Sequence, residues 1–181
     1  MVKPSQVILL VEDSRQRQFL FRYLRKLGYG THEMRIELSP PGKGSAEQWV
    51  REQFAAEVQA LRRRQAQTKL IVIIDADTHT VQQRLDQLDQ SLRNAGVSAI
   101  ADDEGIARLV PKRNIETWIR CLNDVQVDED TDYKRQSDQW TDLIRAAVGT
   151  LFGWTRPNAP APPFCVESLR MGIRELQRCG F

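Results

Sequence analysis

The sequence predicts an α/β fold, with a mainly parallel sheet flanked by helices and a C-terminal helical extension. Strand-sized apolar runs alternate along the chain with longer segments of helical periodicity, which implies right-handed crossovers between parallel strands. The two most apolar runs, Val7–Val11 and Leu70–Ile74, each lead directly into acids, Glu12-Asp13 and Asp75-Ala76-Asp77. Size and composition agree: 181 residues, 41% apolar and 28% charged, describe a globular chain with enough apolar surface for one core.

Gln6–Val11 is continuous, apolar and rich in branched residues, the pattern of a strand buried on both faces. Asp13 or Ser14 suits the N-cap of the helix that follows. Phe19, Leu20, Tyr23, Leu24 and Leu27 mark its inner face, and Gly28 is placed to stop it. Thr31–Leu38 reads as a second strand, with Met34, Ile36 and Leu38 on one side. Ser39–Ser45 is a loop by composition. A helix from Ala46 to about Gln65 carries Trp49, Val50, Phe54, Val58 and Leu61 on its inner face. Leu70–Ile74 is the third strand. Thr80 opens a helix with Val81, Leu85, Leu88 and Leu92 on one stripe, ended by Asn94-Ala95-Gly96. Ala107–Val110 is a short strand closed by Pro111, and Ile115–Leu122 a helix. Beyond an acidic loop, Trp140–Phe152 and Val166–Arg178 are helical, joined by a stiff connector, Arg156–Pro163. The organisation expected is an α/β domain over 1–123, with the acidic loop and a C-terminal helical segment over 124–181 packed on it or extending it.

Several classes of function are disfavoured by composition. Cys121, Cys165 and Cys179 form no CxxC or Cys/His spacing, so neither a disulfide framework nor a zinc site is indicated. The longest apolar runs are far too short to span a bilayer and no basic-then-apolar leader opens the chain, so a cytoplasmic location without membrane association is expected. The formal charge of +2 is uninformative, but its distribution is not. The first helix carries Arg15, Arg17, Arg22, Arg25 and Lys26, a second cluster lies at Arg62–Arg64, and Asp124–Asp132 holds five acids and no base. Gly42-Lys43-Gly44-Ser45 lacks the phosphate-loop frame, yet its place before a helix leaves Lys43 as a phosphate contact. His79 reads as a helix-capping surface residue.

The chemistry concentrates in the acids. In parallel sheets, ligands bind beyond the carboxyl ends of the strands. If the first and third strands are neighbours, Glu12 and Asp75 meet at one edge. Carboxylate oxygens suit Mg²⁺ or Mn²⁺, and two acids at a strand end leave positions for water and phosphate. Such an ion neutralises charge developing on a phosphodiester, while Glu12 completes the metal shell or moves a proton.

Strand-Glu (VILLVE), a following helix and strand-DxD (LIVIIDAD) resemble the Toprim domain, a Rossmannoid module shared by topoisomerases, primases and nucleases of the overcoming-lysogenization-defect type. The matching span ends at Asp77, less than half the chain. The resemblance implies that Glu12 is the acid/base residue and that Asp75 and Asp77 bind Mg²⁺. Many members have Gly after the Glu, where this chain has Asp13. Small bacterial Toprim-like proteins also carry a later segment similar to Arg113-Asn114-Ile115-Glu116-Thr117-Trp118, which adds Glu116 to the catalytic and metal set. These proteins resemble nuclease components of phage-defence systems and often work beside an ATPase. The resemblance therefore implies a DNA or RNA substrate and an ATPase partner, with oligomerisation open. Arg15, Lys43 and Lys112 are the expected phosphate contacts.

ILLVEDS (8–14) also resembles the start of a phosphorylation receiver domain, in which Asp75 would accept phosphate and Glu12 and Asp13 would hold Mg²⁺. The 62-residue interval from Asp13 to Asp75 is long for that family, Pro111-Lys112 reverses its Lys-Pro, and residues 112–181 have no receiver counterpart. A third reading is a non-catalytic subunit that keeps the fold and binds a partner.

Overall fold

The computed structural model describes residues 4–42, 44–64, 67–136, 139–159, 162 and 164–181. The loop residue Lys43 and part of the connector, residues 160, 161 and 163, lie outside them. The chain is an α/β protein with, among the described residues, four strands, β1 (Gln6–Val11), β2 (Met34–Leu38), β3 (Thr68–Ile73) and β4 (Ile106–Leu109). All pair in parallel in the order β2-β1-β3-β4. The helices are α1 (Ser14–Lys26), α2 (Ala46–Arg63), α3 (Val81–Asn94), α4 (Ile115–Cys121), α5 (Trp140–Trp154) and α6 (Glu167–Arg178).

Side chains alternate across the pleat, so the two central strands feed two separate cores. Val7, Leu9 and Val11 of β1 and Ile71 and Ile73 of β3 point to the face covered by α1, α4, α5 and α6. Ile8, Leu10, Leu70 and Val72 point to the other, where α2 brings Val50, Phe54 and Val58 and α3 brings Leu88 and Leu92. Burial on both faces explains why these strands read as unbroken apolar runs. The C-terminal segment is built into the first core: Ile144, Ala147 and Leu151 of α5 and Leu169, Ile173 and Leu176 of α6 belong to the same buried cluster as Phe19 and Tyr23 of α1. Trp118 of α4 lies against Gly172, where an added Cβ would sit 2.5 Å from the indole.

The helix boundaries follow local chemistry. The Asp13 carboxylate accepts from the backbone N–H of Arg15 (2.9 Å) and Gln16 (2.8 Å), capping α1, while Ser14 is already inside the helix. This gives the residue after Glu12 its own structural task. Gly28 follows in the left-handed region at φ 90°, where a side chain is disfavoured. Thr80, not His79, caps α3: its hydroxyl accepts from Gln83 N–H at 3.1 Å, and the Gln83 carbonyl oxygen accepts from Thr80 N–H at 2.8 Å. The expected strand over 31–38 is shorter than its alternation implied. Thr31–Glu33 forms a 3₁₀ turn in which Glu33 N–H bonds Gly30 carbonyl at 3.1 Å, and only Met34–Leu38 joins the sheet.

The β4 edge is covered rather than left open. Arg178 of α6 donates to the carbonyls of Asp102 (2.7 Å) and Ile106 (2.7 Å), and Arg108 N–H donates to Glu175 at 3.3 Å. An edge so occupied has few free groups on which another strand could pair. No helix among the described residues is long and apolar enough to cross a membrane.

Candidate carboxylate site

The strand order reverses between β1 and β3: β2 lies on one side of this pair and β4 on the other. Helix-bearing connections diverge at such a point and leave a crevice at the carboxyl ends of the strands. Glu12 and Asp75 stand there. Val11 pairs with Ile73, so the next residues of both strands continue side by side. The ladder extends past β3, with Ile74 N–H to Leu109 carbonyl (3.1 Å) and Ala76 N–H to Pro111 carbonyl (2.8 Å), which fixes the backbone on both sides of Asp75.

The two carboxylates share partners. Asp75 N–H donates to Glu12 Oε2 at 3.3 Å. The fully buried amide of Gln16 donates to Glu12 Oε2 (3.2 Å) and to Asp75 Oδ1 (2.9 Å), while its carbonyl oxygen accepts from Glu12 N–H at 2.9 Å. Gln16 therefore clamps both acids through one side chain. Glu116, on α4 and wholly buried, forms an ion pair with Arg15, whose guanidinium lies 4.7 Å from the Trp140 ring centroid. Lys134 Nζ approaches Asp75 Oδ2 at 3.9 Å from the segment after the acidic loop.

The electrostatics follow from burial. Loss of solvation raises the Glu12 carboxyl to about 7, opposed by the Asp75 N–H bond and the Arg84 charge. Asp75, 4% exposed, is raised well above the usual carboxylate range by burial first and by Glu12 second, with Lys134 pulling the other way. Lys134 in turn is held more basic by Asp75 and Glu116, against its own desolvation. One oxygen on each of three carboxylates, Glu12 Oε1, Asp75 Oδ2 and Glu116 Oε2, is buried with no hydrogen-bond partner among the described residues. Buried acceptors of this kind are costly unless something satisfies them.

The other expected residues fall differently. Asp77 lies at the rim with its side chain 61% exposed, its backbone in the left-handed region at φ 56°, and its carboxylate paired with Arg113 at 2.8 Å. Lys112 is engaged by Asp130 at 3.3 Å. Arg15 faces Glu116 rather than standing free. Lys43 lies outside the described residues. Among the described residues, no three acids, histidines or cysteines are grouped as a ready-made metal cage.

Three contributors were not singled out in the sequence. Gln16 occupies the same helical stripe as Phe19, Leu20 and Tyr23, so a polar residue on an apolar face was the available signal. Arg84, 2% exposed, precedes Leu88 and Leu92 on the inner stripe of α3. It bonds Glu47 at 2.7 Å and acts electrostatically on Glu12. Lys134 carries no such signal, because its place depends on how the acidic loop folds back. That loop is tied to the site's rim by Asn114 Nδ2 to Asp132 (2.9 Å) and to α6 by Ser168 N–H to Glu129 (3.0 Å).

No protein-family model, curated protein or solved structure matches this chain significantly.

Proposed function

We propose that this protein is a metal-dependent nuclease that hydrolyses nucleic-acid phosphodiesters at the Glu12–Asp75 cluster. The observation that carries the reading is the pair of unsatisfied, buried carboxylate oxygens on Glu12 and Asp75 at the switch point of the sheet. Their chemistry fits a hard divalent cation: oxygen donors, net negative charge and burial that makes the uncompensated acids unfavourable. Glu12 and Asp75 are the proposed holders of Mg²⁺ or Mn²⁺, with Glu116 on its Arg15 ion pair and Asp77 at the rim on its Arg113 ion pair. When bound, the ion supplies charge neutralisation at the scissile phosphate.

The chain's own groups do the rest. Glu12, held beside Asp75 by the Gln16 amide, is the group placed to accept a proton. Water adds to phosphorus, Glu12 takes the proton that the water gives up, and the bond to the leaving oxygen breaks as that oxygen takes a proton from solvent. Gln16 holds Glu12 and Asp75 at a fixed separation throughout. Lys134 offers a second cation beside Asp75 for the phosphate oxygens. Action beside an ATPase in phage defence is part of the proposal and rests on the resemblance of VILLVE and LIVIIDAD.

Metal binding is tested directly by melting. A cation bound only by the folded chain stabilises it by about 1.4 kcal/mol at ten times its Kd, a rise in Tm of roughly 3–6 °C for a chain of this size. Asp75→Asn is expected to abolish the rise and Asp77→Asn to keep most of it. A melting curve unmoved by millimolar Mg²⁺ and Mn²⁺, or a shift that survives Asp75→Asn, would count against the reading.

The same site distinguishes hydrolysis from phosphorylation. Asp75 is buried and its Oδ1 is occupied by the Gln16 amide, so acetyl phosphate with Mg²⁺ is expected to leave it unmodified. Intact-mass measurement is the readout. A gain of one phosphoryl group that Asp75→Asn removes would favour the receiver-type alternative instead.

A further inference from the structure

A groove of about 1010 Å³ runs between α1 and α5. It begins at Ser14 and Arg15, next to the carboxylate site, and ends at Arg25 and Lys26. Arg17, Arg22 and Arg145 also line it, and among the described residues no Asp or Glu does. The nearest acid on α5, Asp142, pairs with Arg145 at 3.1 Å, with both side chains largely exposed. Arg25 donates to Tyr29 carbonyl at 2.9 Å and Lys26 stands 5.4 Å from the Phe152 ring centroid, whereas Arg17 and Arg22 have no side-chain partner among the described residues. Unpaired guanidinium groups in a concave surface without acids attract polyanions.

Helical spacing organises the lining. Arg17, Phe21 and Arg25 are four residues apart, so a half-buried aromatic ring sits between two cations on one stripe of α1. Alternation of cations with a flat ring is the pattern that holds phosphates and stacks bases of an unpaired strand. The width also selects. Packed helices such as these, bridged by Gln18 Nε2 to Thr141 Oγ1 at 3.5 Å, have axes about 8–10 Å apart, and the trough between them suits one strand better than a duplex. The stretch from Ser14 to Lys26 spans about 18 Å, the length of a few nucleotides.

We propose that the α1–α5 groove binds single-stranded nucleic acid and leads it to the carboxylate site. Arg15 is the junction: it lines the groove, stacks on Trp140 and pairs with Glu116. The inference rests on the nuclease reading for what happens at the end of the groove, but strand binding itself requires neither metal nor cleavage.

The test is therefore run in EDTA, with fluorescent ten-nucleotide single strands of DNA and of RNA, the matching duplexes, and polyglutamate as a non-nucleic polyanion. Anisotropy titrations are made at several salt concentrations on the full chain. Arg17→Ala/Arg22→Ala is expected to lower single-strand affinity about tenfold and to flatten the salt dependence by about 0.7 per arginine. Phe21→Ala is expected to lose about tenfold with little change in that slope. The DNA and RNA arms show which sugar is preferred. No binding, unchanged affinity and slope in the double variant, equal or tighter binding of duplex, or equal binding of polyglutamate would each overturn the groove assignment. Metal-dependent cleavage that persists in the double variant would leave the catalytic reading intact and remove only the groove. Strand binding without any cleavage would do the reverse.

Discussion

Glu12→Gln is expected to lower metal-dependent cleavage by roughly 10²-fold or more, the usual scale for a positioned acid/base group. The substitution preserves size and hydrogen-bonding capacity, so Asp75 N–H keeps an acceptor and the Gln16 clamp stays in place. It removes the charge and the basicity that the mechanism asks of Glu12. Binding of single strands in EDTA should be nearly unchanged, which separates a catalytic loss from a folding defect. The assay uses single-stranded DNA, plasmid DNA and structured RNA with Mg²⁺ or Mn²⁺, with and without an ATPase encoded nearby. Undiminished cleavage in Glu12→Gln and in Asp75→Asn would sink the mechanism.

The same substitution is expected to make the metal-free protein more stable at alkaline pH. The Glu12 carboxyl rises from 4.5 to about 7 because burial disfavours its charged form. Between those values the folded chain binds more protons than the unfolded one, so stability falls as pH rises through that window. Below about 4.5 the penalty is absent, and above about 7 it is complete, roughly 3 kcal/mol. Asp75, displaced in the same direction by burial and by Glu12, adds to the slope. Glu12→Gln should therefore raise Tm by about 5–10 °C at pH 8 in EDTA. At pH 4 it should leave Tm almost unchanged. Added Mg²⁺ should narrow the gap at pH 8 by stabilising the wild type alone. A variant less stable than wild type at pH 8 in EDTA would show that Glu12 is a structural acid and not a strained one.

The acids themselves were visible in the sequence because each follows an apolar run that no alternation interrupts. Val7–Val11 and Leu70–Ile74 are buried on both faces, and a charge directly after such a run stands at the mouth of the sheet. Glu116 was reached only by resemblance, since a glutamate in the first turn of a short helix has an ordinary explanation in the helix dipole. Its complete burial and its ion pair with Arg15 depend on tertiary packing that joins residues 101 apart in sequence. Asp77 had the same motif as Asp75 and a different fate. The left-handed turn at φ 56° directs it outward to Arg113, and two-residue spacing cannot report a backbone turn that occurs after the strand has ended.

Local chemistry was enough for the elements and their order: strand runs buried on two faces, caps at Asp13 and Thr80, and stripes at helical spacing all act within a few residues. Strand adjacency, the Gln16 clamp, Lys134 beside Asp75 and the basic groove between α1 and α5 were set by packing over long sequence separations. The physical reason is range. Capping and periodicity are short-range effects carried by neighbouring residues, whereas solvation loss and charge–charge contacts depend on which distant surfaces bury one another. Glu12 is an ordinary glutamate in the sequence. It becomes a group titrating near neutrality only when β1 lies against β3 and the helices close over its end.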